Sequence, residues 1–340
     1  MTKKLDVAII GYGKVGRIRR RCSDDHPNLN LIALCDLGDQ SEKEIQGVYF
    51  SKDWREIVAL CPDLVFVCTT NESIPEITIE ALRRGINVFC EKPPGRTVVD
   101  VQRMAEAEAS SPGGKLCFGF NHRYHQAVLD AKALIDKGRM GDILWMRGVY
   151  GKAGGPAYDR NWRNDPVRSG GGILIDQGIH MIDLLHFFCG TFPEVKSMVG
   201  RTYWKVPVED NAMGIMRNEL GQMAMIHSSA TQWRHKFILD VCLERGYLSL
   251  DGILSSTMTY GAESLKVAHC VYDSEGYPLP NPQEAIYYYT EDRSWAKEVD
   301  YFVRCILESR PVENCNSIHA LAAMEAVHRI YSQDNATFQL

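Results

Sequence analysis

Residues 5–20 read LDVAIIGYGKVGRIRR, an apolar run that breaks on Gly11, Gly13 and Gly16 and continues as a helix. No other stretch constrains the fold as strongly. With this spacing between a strand and a helix, the first glycine allows a tight turn and the second lets backbone approach a pyrophosphate. The third lets helix and strand pack closely. The helix N-terminus then offers free N–H groups and the positive end of its dipole to the phosphates. Asp36, twenty residues past Gly16, closes the next apolar run and is placed to accept hydrogen bonds from a ribose diol. Its carboxylate repels a 2′-phosphate and Leu37 supplies no cation, so the pattern predicts NAD, with NADP less favoured. A purely structural turn, or a site for FAD or S-adenosylmethionine, are the competing readings of the glycines.

Apolar runs at 29–36, 63–70 (DLVFVCTT), 86–93 and 115–120 alternate with helical patterns at 74–85 and 97–110. Continuous apolar strands separated by helices predict a doubly wound parallel sheet covered on both faces. The pattern changes near residue 121. A helix over about 124–137 and a loop over 151–172, rich in Gly, Arg and aromatic residues, precede a very apolar helix, 173–188. Strand-like segments then fill 194–290, and helices over about 294–309 and 317–332 close the chain. The expected fold class is α/β: an N-terminal Rossmann domain, 1–120, and a C-terminal α+β domain, 121–340, with a mostly antiparallel sheet.

The chain has 340 residues, a net charge of -5 and no long basic block, which argues against a nucleic-acid partner. In RIRRR, 17–21, Val15, Ile18 and Cys22 share one helix face, so the arginines read as a solvated face. The eleven cysteines are scattered singly, with no Cys-x-x-Cys pair, as in a reducing compartment. The N-terminal apolar stretch is too short for a signal peptide, and no apolar segment is read as reaching about 18 residues. The expectation is a cytoplasmic protein with no membrane partner.

CEKPPG, 90–95, ends a predicted parallel strand, where ligands bind in such sheets. A partly desolvated lysine there, Lys92, can hydrogen-bond or deprotonate a hydroxyl, although a surface lysine in a turn reads equally well. On helix 173–188, Asp176, His180 and Asp183 fall at i, i+4 and i+7, a polar stripe on an otherwise apolar helix. Such a stripe faces a cavity or ligand, or forms a self-satisfied core pair; no cysteine or further histidine at ligand spacing supports a metal site. CTTN, 68–71, resembles the thiol-nucleophile segment of glyceraldehyde-3-phosphate dehydrogenase, yet Cys68 ends an apolar run with no electropositive seat. Thr69, Thr70 and Asn71 read instead as small polar groups touching the dinucleotide.

Taken with GFNHRYH (119–125), NWRNDPVRSGGGILIDQGIHMIDLLHFFCG (161–190) and VEDNAMGIMRNELGQMAMIHSS (208–229), these motifs resemble the glucose–fructose oxidoreductase, inositol dehydrogenase and rhizopine-catabolism (Gfo/Idh/MocA) family. The resemblance implies a second domain with an open sheet that often makes the subunit contact, and hence a homodimer or homotetramer. It implies that Lys92, Asp176 and His180 carry a hydride transfer between the cofactor and a sugar-like alcohol or ketone. His180 is read as acid/base, oriented by Asp176, with Lys92 polarising the reacting oxygen; Lys92 as proton acceptor stays open. Tyr12, Lys14, Val15, Glu91, Lys92 and Pro93 join the three glycines, Asp36 and Thr69–Asn71 as expected cofactor contacts. Asn121, Arg123, Trp162 and Arg163 are expected on the substrate side. Tyr158, Arg160, Trp162, Arg163 and Arg168 on the loop lean the expectation toward a nucleotide-linked or other anionic sugar. The alternatives are a free sugar or inositol, a non-catalytic NAD-binding regulator that retains the fold, and a metal-dependent hydrolase or lyase.

Overall fold

The computed structural model describes residues 4–40, 46–255 and 257–334, and the chain divides into two compact units. The first takes in the chain up to Phe120, with Val167–Gly170 and Trp295–Met324. The second takes in Asn121–Pro166, Gly171–Ser294 and the residues from Glu325 on.

In the first unit, β1 (Leu5–Ile10), β2 (Leu29–Cys35), β3 (Tyr49–Ser51), β4 (Leu64–Val67), β5 (Asn87–Cys90) and β6 (Leu116–Phe118) form a six-stranded sheet ordered β3-β2-β1-β4-β5-β6. Every neighbouring pair is parallel. All four residues of β4, LVFV, are buried, because helices cover both faces of such a sheet. The helices are α1 (Lys14–Asp25), α2 (Trp54–Ala59), α3 (Ile74–Arg83) and α4 (Val98–Ala109). Helix α4 starts where its sequence says it should: Thr97 and Asp100 form a reciprocal capping box. Strand order reverses between β1 and β4, and the crevice outside their carboxyl ends is where such sheets bind ligands. Short β3 and α2 escaped the sequence reading, since three to six residues carry too little periodicity to register.

In the basic run 17–21 Arg17 and Arg21 are exposed, as a solvated face requires, but the expectation fails at Arg19. Arg19 is fully buried: its Nε donates to Glu91 at 2.6 Å and its Nη2 to Glu298 at 2.8 Å. Its guanidinium also lies 4.2 Å from the Phe89 ring centroid and 4.7 Å from that of Trp295. A buried guanidinium needs this kind of pairing, and two carboxylates from distant segments supply it.

The second unit is built on an eight-stranded sheet. Its strands are β7 (Ile143–Ala153), β8 (Glu194–Gly200), β9 (Asn211–Arg217), β10 (Met223–Ser229), β11 (Thr231–Leu243), β12 (Gly246–Asp251), β13 (Glu263–His269) and β14 (Glu284–Tyr289), in the order β14-β13-β12-β11-β7-β10-β9-β8. All neighbours are antiparallel except β7 and β10. Strand β9 alternates strictly, with Ala212, Gly214 and Met216 buried and Met213 and Ile215 exposed, as expected of a sheet with one covered face. The helices are α5 (Gln126–Asp136), α6 (Pro166–Ser169), α7 (Ile179–Cys189), α8 (Ser294–Leu307) and α9 (Ser317–Gln333); most of α6, α8 from Trp295 on and α9 up to Met324 belong to the first unit.

The apolar helix begins differently from the regular helix expected over 173–188. Leu174–Gly178 form a π-type turn before α7, so Asp176 and His180 lie on either side of a change in helical pitch. The helical run Pro166–Cys189 is, among the described residues, the one segment long and apolar enough to cross a membrane. Of its most apolar window 83% is buried inside the protein, so it serves as a core helix.

Candidate active site

In the first unit the glycine turn sits outside β1. Gly11 has φ +92°, and a Cβ there would lie 2.5 Å from the Cys68 carbonyl oxygen, so only glycine lets the turn press against the end of β4. A Cβ on Gly13 would meet nothing within 4 Å, which leaves open space in front of the first turn of α1. Asp36 reaches this turn from the end of β2, accepting the Tyr12 N–H at 2.6 Å and the Gly38 N–H at 2.8 Å. Thr69 Oγ1 is buried and has no hydrogen-bond partner within the protein. An open cradle at a helix N-terminus, a carboxylate beside it and an unsatisfied buried hydroxyl fit the phosphates, ribose and polar edge of a dinucleotide.

The other expected cofactor contacts have defined surroundings in the first unit. Asn71 Nδ2 donates to the Ser169 carbonyl at 2.8 Å, and Thr70 Oγ1 lies 3.2 Å from both Glu72 Oε1 and Ser73 Oγ at the start of α3. The Glu91 carboxylate is held in the core by Arg19. Lys92, half-buried, follows directly and is joined to buried Pro93 by a cis peptide bond. Lys14 is exposed and Val15 half-buried, both in the first turn of α1. Burial pushes the Cys68 thiol well above the ordinary range, with Glu91 adding to the effect, so it makes a poor nucleophile.

In the second unit Asp176 collects two cations: Lys152 Nζ donates to Oδ2 and Arg163 Nε to Oδ1, each at 3.0 Å. Arg163 also lies against the Trp162 ring, 4.5 Å from its centroid, and both are half-buried. His180 is buried, its ring stacked on that of His122 with centroids 3.8 Å apart and planes 18° from parallel. His122 Nδ1 lies 3.1 Å from Asn121 Oδ1 and its Nε2 3.1 Å from the Tyr150 hydroxyl. Asn121 Oδ1 can only accept, so His122 donates from Nδ1, and burial pushes the Tyr150 phenol well up. His122 is thereby held in place beneath His180. Gln177 Nε2 donates to the Tyr260 hydroxyl at 2.7 Å, whereas its buried Oε1 has no partner within the protein.

The polar stripe divides. Asp183 is fully buried in a two-pronged pair with Arg123, at 2.8 Å to Nε and 2.6 Å to Nη2. Burial pushes the Asp183 carboxyl up and Arg123 pulls it back, leaving it above the usual range. Arg123, expected to line the substrate side, is only 1% exposed and spans helix and loop as a core ion pair. Asn121 is likewise buried, donating to Ser294 Oγ at 3.1 Å. Glu209 sets the entry into the π-type turn: it accepts the Gly172 and Leu174 N–H groups at 2.8 and 2.9 Å and the Tyr331 hydroxyl at 2.8 Å. A Cβ on Gly172 would lie 2.1 Å from the Glu209 carbonyl oxygen, which explains the third glycine of the triplet. Burial pushes the Glu209 carboxyl up to about 7 despite these donors.

His122, Tyr150, Lys152, Gln177 and Glu209 were not singled out from the sequence. Lys152 and Tyr150 carried a signal, because alternate residues of β7 share the face on which α7 lies. Among the described residues no three His, Cys, Asp or Glu side chains gather as metal ligands.

The chain is similar to known proteins. A family model described as "Oxidoreductase family, NAD-binding Rossmann fold" matches residues 5–116, and the GFO/IDH/MocA C-terminal domain matches residues 128–249. D-glucoside 3-dehydrogenase of Escherichia coli (strain K12) is 31% identical over 59% of this chain and 58% of its own, so the alignment spans less than two thirds of that relative. Inositol 2-dehydrogenase of Salmonella typhimurium is 25% identical over 76% of this chain and 77% of its own. The structure of levoglucosan dehydrogenase in complex with NADH and levoglucosan superposes with a TM-score of 0.85 at 20% identity, covering 97% of both chains, a likeness of fold. With the NAD-binding Rossmann domain and the C-terminal domain both matched in sequence order, the chain belongs to the Gfo/Idh/MocA family of oxidoreductases.

Proposed function

We propose that the chain is an NAD-linked dehydrogenase acting on a hydroxyl or keto carbon of an uncharged sugar or cyclitol. Gly11, Gly13, the first turn of α1, Asp36 and Thr69 would hold the dinucleotide, and Asp36 beside Leu37 favours NAD over NADP. Bound, the nicotinamide supplies the hydride acceptor or donor. His180 takes or returns the hydroxyl proton, and Lys92 is the second group read as acting on a hydroxyl. Asp176 holds Lys152 and Arg163, and Gln177 Oε1 is free to accept a substrate hydroxyl.

The observation that carries this reading is His180 itself: a buried imidazole stacked on the His122 ring, at the start of α7 and just past the turn that bears Asp176. An anionic substrate loses its rationale, because Arg163 is paired with Asp176 and Arg168 with Glu72 at 3.1 Å. The names of the relatives, a glucoside and an inositol dehydrogenase, point the same way. Trp162 and Arg163 remain on the substrate side of this reading, while Asn121 and Arg123 act from beneath. The exposed face of the second unit's sheet, where Met198 pairs with Met213 and Ile215 with Met225, supports assembly of like subunits. Eleven free cysteines support a reducing compartment.

The test is absorbance at 340 nm with NAD and a panel of free sugars and cyclitols. Lys92→Ala and His180→Ala should each lower turnover by at least about a hundredfold. Near-normal rates in both variants, or NAD binding without turnover across the panel, refute the proposal.

A further inference from the structure

Asp176 does not lie alone at the end of β7. Lys152, which holds its carboxylate, is followed two residues later by Gly154, where a Cβ would lie 2.4 Å from the Trp204 ring and 2.9 Å from that of Tyr158. Two residues along an extended chain span about 7 Å, close to the width of one pyranose ring. From there an aromatic cluster runs outward. Tyr158 lies 4.6 Å from Trp204 between centroids, Tyr203 5.2 Å from Trp204, and Tyr203 5.0 Å from Trp233 with the two planes at 80°. The inner pair is half-buried and Trp204 is anchored by its Nε1 donating to the Ala230 carbonyl at 2.9 Å. The outer pair is not covered: Tyr203 is 62% and Trp233 61% exposed.

Contiguous large aromatic rings left in water are unusual and mark a contact surface. Sugar rings suit such a surface, since their axial C–H groups form an apolar face that stacks on an aromatic ring while the hydroxyls stay at the rim. Polar rim groups are at hand. Gln232, next to Trp233, lies over Gly151, and Arg234 follows on the other side. The orientation is fixed from within: Asp210 accepts the N–H groups of Thr202, Tyr203 and Trp204 at 2.7–2.8 Å, which pins the loop carrying two of the four rings.

We propose that Tyr203 and Trp233, braced by Trp204 and Tyr158, form a stacking subsite for a second sugar ring, so that the preferred substrate is a two-ring glycoside. This rests on the sugar-oxidising reading above and names the substrate class within it. The ring to be oxidised lies toward Asp176 and His180, and the ring it is linked to lies against Trp233.

The experiment measures binding by calorimetry on the intact, NAD-loaded protein, for methyl β-glucopyranoside and a panel of disaccharides (cellobiose, maltose, trehalose), with Trp233→Ala and Tyr203→Ala alongside wild type. Wild type should bind at least one disaccharide more tightly than the methyl glycoside, and that ratio should fall about tenfold in either variant, the loss of one ring-on-ring contact and its buried area. A wild type that prefers no disaccharide overturns the proposal, as does a variant in which the ratio is unchanged. If Trp233→Ala leaves the ratio unchanged but halves the assembled mass by light scattering, the cluster is covered by a second copy of the chain and the subsite is refuted. Calorimetry needs no turnover, so absence of catalysis with any sugar refutes the dehydrogenase reading while the aromatic subsite is judged separately by its ratio.

Discussion

Arg19 offers the most demanding test of the first unit. In Arg19→Met the guanidinium is replaced by an apolar chain of similar length, and two carboxylates that it joined, Glu91 and Glu298, are left facing one another with 7% and 0% side-chain exposure. Each can remain charged and unpaired, or take up a proton. The second route sets a ceiling: protonating a carboxylate of ordinary pKa 4.3 costs about 3.7 kcal/mol at pH 7 and about 1 kcal/mol at pH 5. Two carboxylates therefore bound the penalty at about 7 kcal/mol at pH 7 and about 2 kcal/mol at pH 5. Loss of one partner from a buried pair ordinarily costs about 3–5 kcal/mol, inside that bound. The expected deficit against wild type is about 4 kcal/mol at pH 7, shrinking below about 2 kcal/mol at pH 5. Urea denaturation of the two proteins at both pH values, read by circular dichroism, measures it. Adding Glu298→Gln to Arg19→Met should recover part of the loss at pH 7 and little at pH 5. A deficit under about 1 kcal/mol, or one that does not change with pH, would mean the two carboxylates are not held by Arg19.

Glu209 predicts a second pH dependence. Its carboxyl is pushed from an ordinary 4.5 to about 7 when folded, so the folded chain keeps its proton where the unfolded chain has lost it. Stability is then highest below about pH 4.5 for this group and falls by about 3 kcal/mol as the pH rises through 7. Glu209→Gln should flatten that slope between pH 5 and pH 8 in the same denaturation assay; an unchanged slope refutes the assignment. For the cofactor, Asp36→Ala should weaken NAD binding by about tenfold or more, as loss of a charged hydrogen-bond acceptor does, while leaving NADP binding level or tighter. Equal loss for both cofactors in fluorescence titration would show that Asp36 does no more than hold the Tyr12 and Gly38 amides.

Where local pattern decides, the sequence was sufficient. The strand–glycine–helix start, the alternation of apolar strands with helices and the placing of Asp36 beside the glycine turn follow from periodicities of 2 and 3.6 and from the conformational needs of glycine, all contained within a few neighbouring residues. The family motif around residues 161–190 likewise drew attention to Asp176 and His180 together. The partners of these groups could not be read in the same way. Arg19 looked like one of four surface cations because its carboxylates lie 72 and 279 residues away. Asp183 looked like part of a ligand-facing stripe because the arginine that takes it, Arg123, lies 60 residues upstream. The π-type turn that separates Asp176 from His180 is invisible to a periodic count, and so is His122 beneath the His180 ring.

The physical reason is the range of the forces involved. Backbone geometry and amphipathic pattern act between residues a few positions apart, so composition along the chain fixes which elements form and which face is apolar. A buried charge must find its partner wherever the fold brings one within about 3 Å, and that pairing depends on the packed arrangement as a whole. The sequence thus determined the Rossmann start and the candidate chemistry, while the tertiary structure decided which polar residues pair with one another in the core.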